Sequence, residues 1–208
     1  MSARDSAGDR AAGVVVLRFD GHDTPRGLSG LDTVNVAGSA DVDAAAAGAR
    51  RLVVVGSDAD LATALTRLMR TERLGVELAA VRGLLGARRA LSGTATRVPL
   101  IRDDAGIAIV GQAEWRGTGE DLFGEGVVDD TTLFSGHVAG VRIEPTAEMP
   151  GLRAAVLSGR GRPHRWVAGR AAQLGTTGAR VIRDGVDGAR EVKRSTFYRH
   201  TEGWLRVG

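Results

Sequence analysis

The spacing of apolar residues changes in character partway along the chain. Up to about residue 92, short apolar runs such as residues 13–18 and 52–55 alternate with stretches in which apolar residues recur every three or four positions. This β-α-β-α-β order predicts a three-layer α/β domain with a mostly parallel sheet over residues 13–93. Beyond residue 93, Gly, Asp and Pro interrupt short strand-like runs about every 8–12 residues, which predicts an all-β, sandwich-like domain over residues 94–208.

The same pattern gives expected positions for single elements. In the first domain we expect strands at residues 13–18, 31–37, 52–55 and 76–81, and helices at 40–50, directly after residue 60 and at 84–91. In the second domain we expect strands at 97–102, 107–111, 127–134, 138–144, 152–157, 171–174, 180–183 and 191–199, and no helix. Residues 1–12 have mixed charge and no apolar run, so we expect a disordered tail and no signal peptide.

The stretch RLVVVGSDADLATALTRLM, residues 51–69, carries the first candidate site. A strand runs through Gly56 into an amphipathic helix, and Ser57 precedes Asp60 by three residues, which is the spacing of a capping box. The free N–H groups at such a helix start suit a phosphate, so Gly56, Ser57, Asp58 and Asp60 are candidate cofactor-binding residues. The two carboxylates would repel a bare phosphate unless a metal ion intervened. The alternative is an ordinary βα turn.

Composition limits the chemistry. The 208 residues include no cysteine, so disulfides, zinc-thiolate sites and thiol catalysis are excluded, and a cytoplasmic location is expected. No apolar run approaches the roughly 20 residues that span a bilayer. Residues 101–150 carry 10 acidic and 3 basic side chains, whereas residues 151–208 carry 4 and 12. The basic third could contact phosphate, nucleotide or an anionic membrane surface, or it could pair with the acidic segment inside the fold.

Other polar groups give weaker signals. The pair Asp129 and Asp130 could hold Mg²⁺, although one acidic pair supplies too few ligands and a solvated turn is the default. Asp184 precedes Gly185 in a typical turn dipeptide. The four histidines lie apart in sequence and are expected to be structural or exposed, and the aromatic residues are too scattered to form a stacking platform, so no specific nucleic-acid binding is expected.

The order of these segments resembles the diacylglycerol kinase and NAD kinase superfamily. In its lipid-kinase branch, a Gly-Gly-Asp-Gly-Thr-Leu motif follows a valine-rich strand, and an acidic-pair segment and an Asp-Gly-Glu motif lie in the C-terminal domain. Here VVVGSDADL, VVDDTTLF and IRDGV occupy the matching positions, and the resemblance covers about residues 13–207. It implies ATP with Mg²⁺ in an interdomain cleft, a nucleotide or lipid partner, and a last strand that returns to the first domain.

The chain departs from the first family motif at three positions. Gly56 and Asp58 match, whereas Ser57, Ala59 and Asp60 replace glycine, glycine and threonine. A Cβ atom hinders the approach of phosphate to the backbone, and Asp60 adds an anion beside it.

The last family motif is also altered. Asp184 and Gly185 match, and the resemblance gives Asp184 a catalytic role as the acid near the reacting hydroxyl. Val186 replaces the family's glutamate, and valine can neither accept a proton nor bind a metal ion.

Three hypotheses follow, in order of preference. The chain is a diverged, inactive or weak relative of the lipid kinases that still binds nucleotide. Alternatively it is an active ATP-dependent lipid or small-molecule kinase, in which Asp58 positions the metal ion or nucleotide. As a third hypothesis it is a non-enzymatic interaction module with a basic surface. The sequence is also compatible with peripheral membrane contact and with a homo-oligomer.

Overall fold

The computed structural model describes residues 12–19, 21–82 and 85–208, so the expected tail lies outside the described residues except for its last position. The chain divides into two units. The first contains the residues up to Arg97 together with Gly203–Gly208, and the second contains Val98–Glu202.

The first unit is built on a six-stranded sheet. Its strands are β1 (Val14–Phe19), β2 (Asp32–Val36), β3 (Arg51–Val55), β4 (Glu77–Ala80), β5 (Ala95–Val98) and β17 (Trp204–Val207). Their order across the sheet is β2-β1-β3-β4-β17-β5. The pairs of β1 with β2, of β1 with β3, of β3 with β4 and of β4 with β17 are all parallel. The prediction of a mostly parallel first sheet is therefore confirmed.

Short helices accompany this sheet. They are α1 (Ser39–Ala46), α2 (Asp58–Arg70) and α3 (Gly86–Ser92), with a 3₁₀ turn at Arg26–Leu28. The amphipathic pattern of α2 is confirmed, since Leu61, Leu65 and Leu68 are buried. None of the helices in the described residues is long and apolar enough to cross a bilayer.

Packing in the first unit follows from the burial of β3. All five of its residues are buried, as expected for a central parallel strand that is covered on both faces. Arg67 of α2 forms an ion pair with Asp43 of α1, which joins the two helices. The hydrogen bond from Arg67 holds the pKa of the Asp43 carboxyl below its usual value.

The second unit contains an eleven-stranded sheet in which every observed pairing is antiparallel. Its strands are β6 (Ile101–Asp103), β7 (Ala108–Ile109), β8 (Ala113–Gly117), β9 (Leu122–Val128), β10 (Thr131–Val138), β11 (Val141–Pro145), β12 (Leu152–Leu157), β13 (Pro163–Gly169), β14 (Ala171–Arg183), β15 (Val186–Asp187) and β16 (Val192–Arg199). The main path runs β13-β12-β11-β8-β14-β16-β6-β7, and β9, β10 and β15 branch from it. The predicted all-β composition is confirmed, and the described residues after Ser92 contain no helix.

Strand β14 is longer than predicted. Residues 171–174 and 180–183 were expected to form two strands, but they belong to one strand of 13 residues. Its residues 172–176 pair with β9, and residues 179–183 pair with β8. The glycines Gly175 and Gly178 therefore mark a change of partner along one strand rather than a break between two.

Two other expected strands are each divided in the structure. The expected strand at 97–102 is interrupted at Pro99, which has no N–H group to donate, and becomes β5 and β6. The expected strand at 127–134 contains a two-residue turn at Asp129 and Asp130, which connects β9 to β10. Three strands had no counterpart among the expected elements, namely β8, β13 and β15.

The core of the second unit surrounds Trp115, which is fully buried. Its indole N–H donates a hydrogen bond of 3.0 Å to Ser195 Oγ, and its ring lies 6.0 Å from that of Phe197. Arg183 forms an ion pair with the fully buried Asp103. This contact joins the basic third of the chain to the acidic segment. It is an example of the internal pairing of the two segments that was one of the two expectations.

Candidate functional site

The junction between β3 and α2 forms the predicted capping box. Ser57 is the N-cap of α2, and the N–H of Asp60 donates to Ser57 Oγ at 3.3 Å. In return, Asp60 Oδ2 accepts from the backbone N–H of Ser57 at 2.7 Å and from its hydroxyl at 2.8 Å. The carboxylate of Asp60 thus lies over the start of its own helix, where it neutralises part of the positive end of the helix dipole.

Gly56 leaves the space that this carboxylate occupies. A Cβ atom at Gly56 would lie 2.6 Å from Asp60 Oδ2, so any other residue at this position would force the Asp60 carboxylate to shift. The glycine therefore allows close approach of an internal carboxylate, and the N–H of Ser57 is already bonded to that carboxylate. A phosphate arriving at this turn would meet both an anion and a donor that is already in use.

Asp58 is directed to a different partner. It forms an ion pair with Arg82, which lies just beyond the end of β4. Strands β3 and β4 are parallel neighbours, so the residues that follow them meet at the same edge of the sheet. Arg82 was not among the residues predicted from the sequence, although its position after the next strand was a usable signal. His22 Nε2 lies 3.9 Å from Asp60 Oδ2 on the other side.

Asp184 forms a tight turn and binds a distant segment. Its φ of 48° and the φ of 87° at Gly185 place both residues in the left-handed region that a two-residue hairpin turn between β14 and β15 requires. Its carboxylate accepts three backbone N–H groups, from Val110 at 3.1 Å, Gly111 at 2.7 Å and Gln112 at 2.9 Å. The oxygen atoms that the resemblance makes catalytic therefore hold the segment after β7 in place.

The acidic pair behaves as a turn whose two carboxylates differ. Asp129 has a φ of 49°, and its carboxylate accepts the N–H groups of Arg170 at 3.0 Å and Ala171 at 3.0 Å. Asp130 is exposed. The described residues contain no group of three or more His, Asp or Glu side chains that could hold a metal ion. Magnesium binding at this pair stays a prediction.

The structure brings only some of the predicted site residues together. Gly56, Ser57, Asp58 and Asp60 share one junction in the first unit. The other carboxylates belong to the second unit and lie far apart, because Asp129 contacts the start of the 13-residue strand β14 and Asp184 follows its end.

The described chain thus combines a mostly parallel sheet with a large antiparallel sheet and few helices, in two units. The chain is similar to an NAD kinase from Archaeoglobus fulgidus that was solved in complex with ATP. The likeness has a TM-score of 0.62 and covers 94% of this chain and 93% of that chain, at 12% sequence identity. At this identity the likeness shows the fold alone. No family model and no curated protein matches the sequence.

Proposed function

We propose that this protein is a diverged relative of the diacylglycerol kinases, catalytically inactive or weak, whose nucleotide position at the β3–α2 junction is closed by its own Asp60. The observation that carries the proposal is the pair of hydrogen bonds from the Ser57 N–H and hydroxyl to Asp60 Oδ2. The carboxylate takes donors of the kind that a strand–glycine–helix turn offers to phosphate. The junction as it stands does not fit an ATP phosphate.

The geometry at Asp184 supports the loss of activity independently. A catalytic carboxylate must be able to reach a reacting group, whereas Asp184 accepts three N–H groups from residues 110–112. Val186 is 57% exposed at the position where the family has glutamate, and it supplies no acid. Phosphoryl transfer depends on positioned groups of this kind, so two parts of the machinery are affected.

We include nucleotide binding in the proposal because of the structural neighbour. That NAD kinase was solved with ATP, which makes a purine nucleotide the first ligand to test on this chain. We expect binding to require that Asp60 leaves the junction. Mg²⁺ would then arrive with the phosphates.

The proposal includes the domain organisation, the cellular location and the partners that were expected from the sequence. In this proposal the first unit, with its returning strand β17, is the nucleotide-binding-like domain expected over residues 13–93. The second unit is the sandwich-like domain expected from residue 94, and the change of partner along β14 supports it. We place the protein in the cytoplasm, with a lipid or an anionic membrane surface and a second copy of the chain as candidate partners. The excess of basic residues in 151–208 favours an anionic contact.

The test is a thermal-shift titration with Mg²⁺-ATP, ADP and NAD on the wild type and on Asp60→Thr, which restores the family residue. A ligand at about 100 times its Kd stabilises the native state by about 2.7 kcal/mol. We expect little shift in the wild type and a saturable shift in the variant. Adding Ser57→Gly and Ala59→Gly to Asp60→Thr restores the full motif and should strengthen the shift.

Asp41→Thr is the matched control. Asp41 accepts the N–H groups of Ala37 and Gly38 at the start of α1, as Asp60 does for α2. Its loss should weaken a helix start without creating nucleotide binding.

A wild-type shift as large as that of Asp60→Thr would show that the carboxylate does not close the site. Transfer of phosphate to a lipid by the wild type would show that the protein is active, and no shift in either restored variant would remove nucleotide binding from the proposal.

A further inference from the structure

Arg102 is an exception among the arginines of the second unit that are not fully exposed. Arg116 and Arg142 both bind Glu114, and Arg183 binds Asp103. Arg102 is partly buried, and its guanidinium forms no hydrogen bond or ion pair within the described part of the chain. Its Nε atom is fully buried and has no acceptor. A buried donor without a partner costs free energy. The terminal nitrogens of the same guanidinium are not among the buried unpaired atoms, so they are the donors that an acceptor from solution can reach.

The neighbours of Arg102 hold its guanidinium while leaving its edge available. Arg102 on β6 is paired in register with Tyr198 on β16, and its Cζ lies 4.7 Å from the centre of the Tyr198 ring. Stacking on an aromatic face uses the flat side of a guanidinium. Its N–H groups lie in the plane of the guanidinium, so the ring does not use them, and the two terminal ones form a fork that matches a carboxylate or phosphate.

His200 adds a second polar group next to this pair. It follows Tyr198 by two residues, and its backbone N–H continues the strand pairing by donating to the carbonyl of Leu100 at 2.8 Å. Burial lowers the pKa of His200, and the positive charge of Arg102 lowers it further, against a smaller opposite effect of Glu202. The imidazole is therefore neutral at pH 7, with one N–H to donate. The guanidinium of Arg102, the phenol of Tyr198 and the neutral imidazole of His200 together form a set of hydrogen-bond donors. No carboxylate of the described residues is bonded to Arg102.

We propose that Arg102 binds an oxyanion with two acceptor oxygens, a phosphate or a carboxylate of a small molecule, with Tyr198 and His200 beside it. The oxyanion accepts paired hydrogen bonds from the two terminal nitrogens of the guanidinium, which the described residues leave without a partner. The site lies within the second unit and does not depend on nucleotide binding at the β3–α2 junction.

The experiment measures binding of inorganic phosphate and of acetate to the full chain, with ionic strength held constant by chloride. We expect a saturable rise in melting temperature with at least one of the two anions, and the anion that acts distinguishes the two chemistries. We also expect the imidazole signal of His200 in NMR to titrate at higher pH when the anion is bound, since a nearby negative charge favours the protonated ring.

Arg102→Met should abolish both effects. It removes the unpaired donor but keeps an unbranched apolar side chain, so the variant without anion should melt no lower than the wild type. Arg102→Lys keeps the charge but loses the fork, and it should reduce the anion-induced shift several-fold. Arg160→Met, at an exposed arginine between β12 and β13, is the matched control and should leave the shift unchanged.

Three outcomes would overturn the proposal. The first is the absence of a saturable shift in the wild type with either anion. The second is an equal shift in Arg102→Met, which would place the anion elsewhere. The third is a melting temperature of anion-free Arg102→Met well below that of the wild type, which would make Arg102 a structural residue.

Discussion

The two acidic turns of this protein use the same kind of hydrogen bond over very different distances along the chain. Asp60 accepts N–H and O–H groups of Ser57, three residues away. Asp184 accepts three N–H groups from residues 110–112, which precede it by more than 70 positions. The first carboxylate stabilises one helix start, and its loss has a local effect. The second joins the turn after β14 to the segment between β7 and β8, which is remote in sequence, so we expect its loss to affect the second unit more widely.

The largest expected effect comes from Asp184→Ala. The change leaves three backbone N–H groups without an acceptor, and hydrogen bonds to a charged group contribute about 1.5–3 kcal/mol each. Because the losses at one site are not additive, we expect a decrease of about 3 kcal/mol in the free energy of unfolding, measured by urea denaturation. Asp187→Ala, which removes an exposed ion pair to Arg180, is the control and should cost about 0.5 kcal/mol or less. If Asp184→Ala and Asp187→Ala lowered the free energy of unfolding equally, the Asp184 turn would have no special structural role and would not differ from the Asp60 turn in this respect.

A smaller effect is expected for Ser57→Ala. This change removes the N-cap of α2 and the hydroxyl that donates to Asp60, and N-cap losses cost typically about 1 kcal/mol. The measurement is again the free energy of unfolding in urea. Thr63→Ala, which removes a hydroxyl bonded to the carbonyl of Ala59 within the same helix, should stay within about 0.5 kcal/mol of the wild type. A loss of 3 kcal/mol at Ser57 would mean that the junction is as structural as the Asp184 turn.

The smallest effect is expected for Val186→Glu. The side chain of Val186 is 57% exposed, so a glutamate should change the free energy of unfolding by less than about 0.5 kcal/mol. The prediction separates two reasons for the absence of the family's acid at this turn. A neutral result in thermal melts would show that the fold tolerates the acid, whereas strong destabilisation would show that the fold itself excludes it.

The sequence was most informative where a few neighbouring residues decide the structure. The spacing of Ser57 and Asp60 predicted the capping box, because both partners lie within one turn of a helix. The change from a parallel to an antiparallel sheet was likewise visible in the periodicity of the apolar residues. The arrangement of the junction was only half predicted. The repulsion of phosphate by Asp60 was expected, but its bonds to Ser57 needed the side-chain positions.

Features that depend on distant partners could not be read from the sequence. Nothing around Asp184 indicates that residues 110–112 donate to its carboxylate. The continuity of β14 was hidden because Gly175 and Gly178 are typical of breaks, whereas here neighbouring strands pair with both halves. The missing partner of Arg102 is also a property of the folded chain, since its sequence neighbours Asp103 and Asp104 would suggest that it is paired.

The position of β17 links the first sheet to the order in which the chain is synthesised. Strand β17 lies between β4 and β5, so until residues 204–207 have been made β4 is paired only with β3 and β5 has no neighbour in the sheet. At roughly 10 residues per second, the second unit takes about 10 seconds to synthesise. During that interval β4 presents an unpaired edge, which is a template for wrong pairing with other chains. Protection of this edge by a chaperone would matter most on the ribosome, before the first unit can complete its sheet.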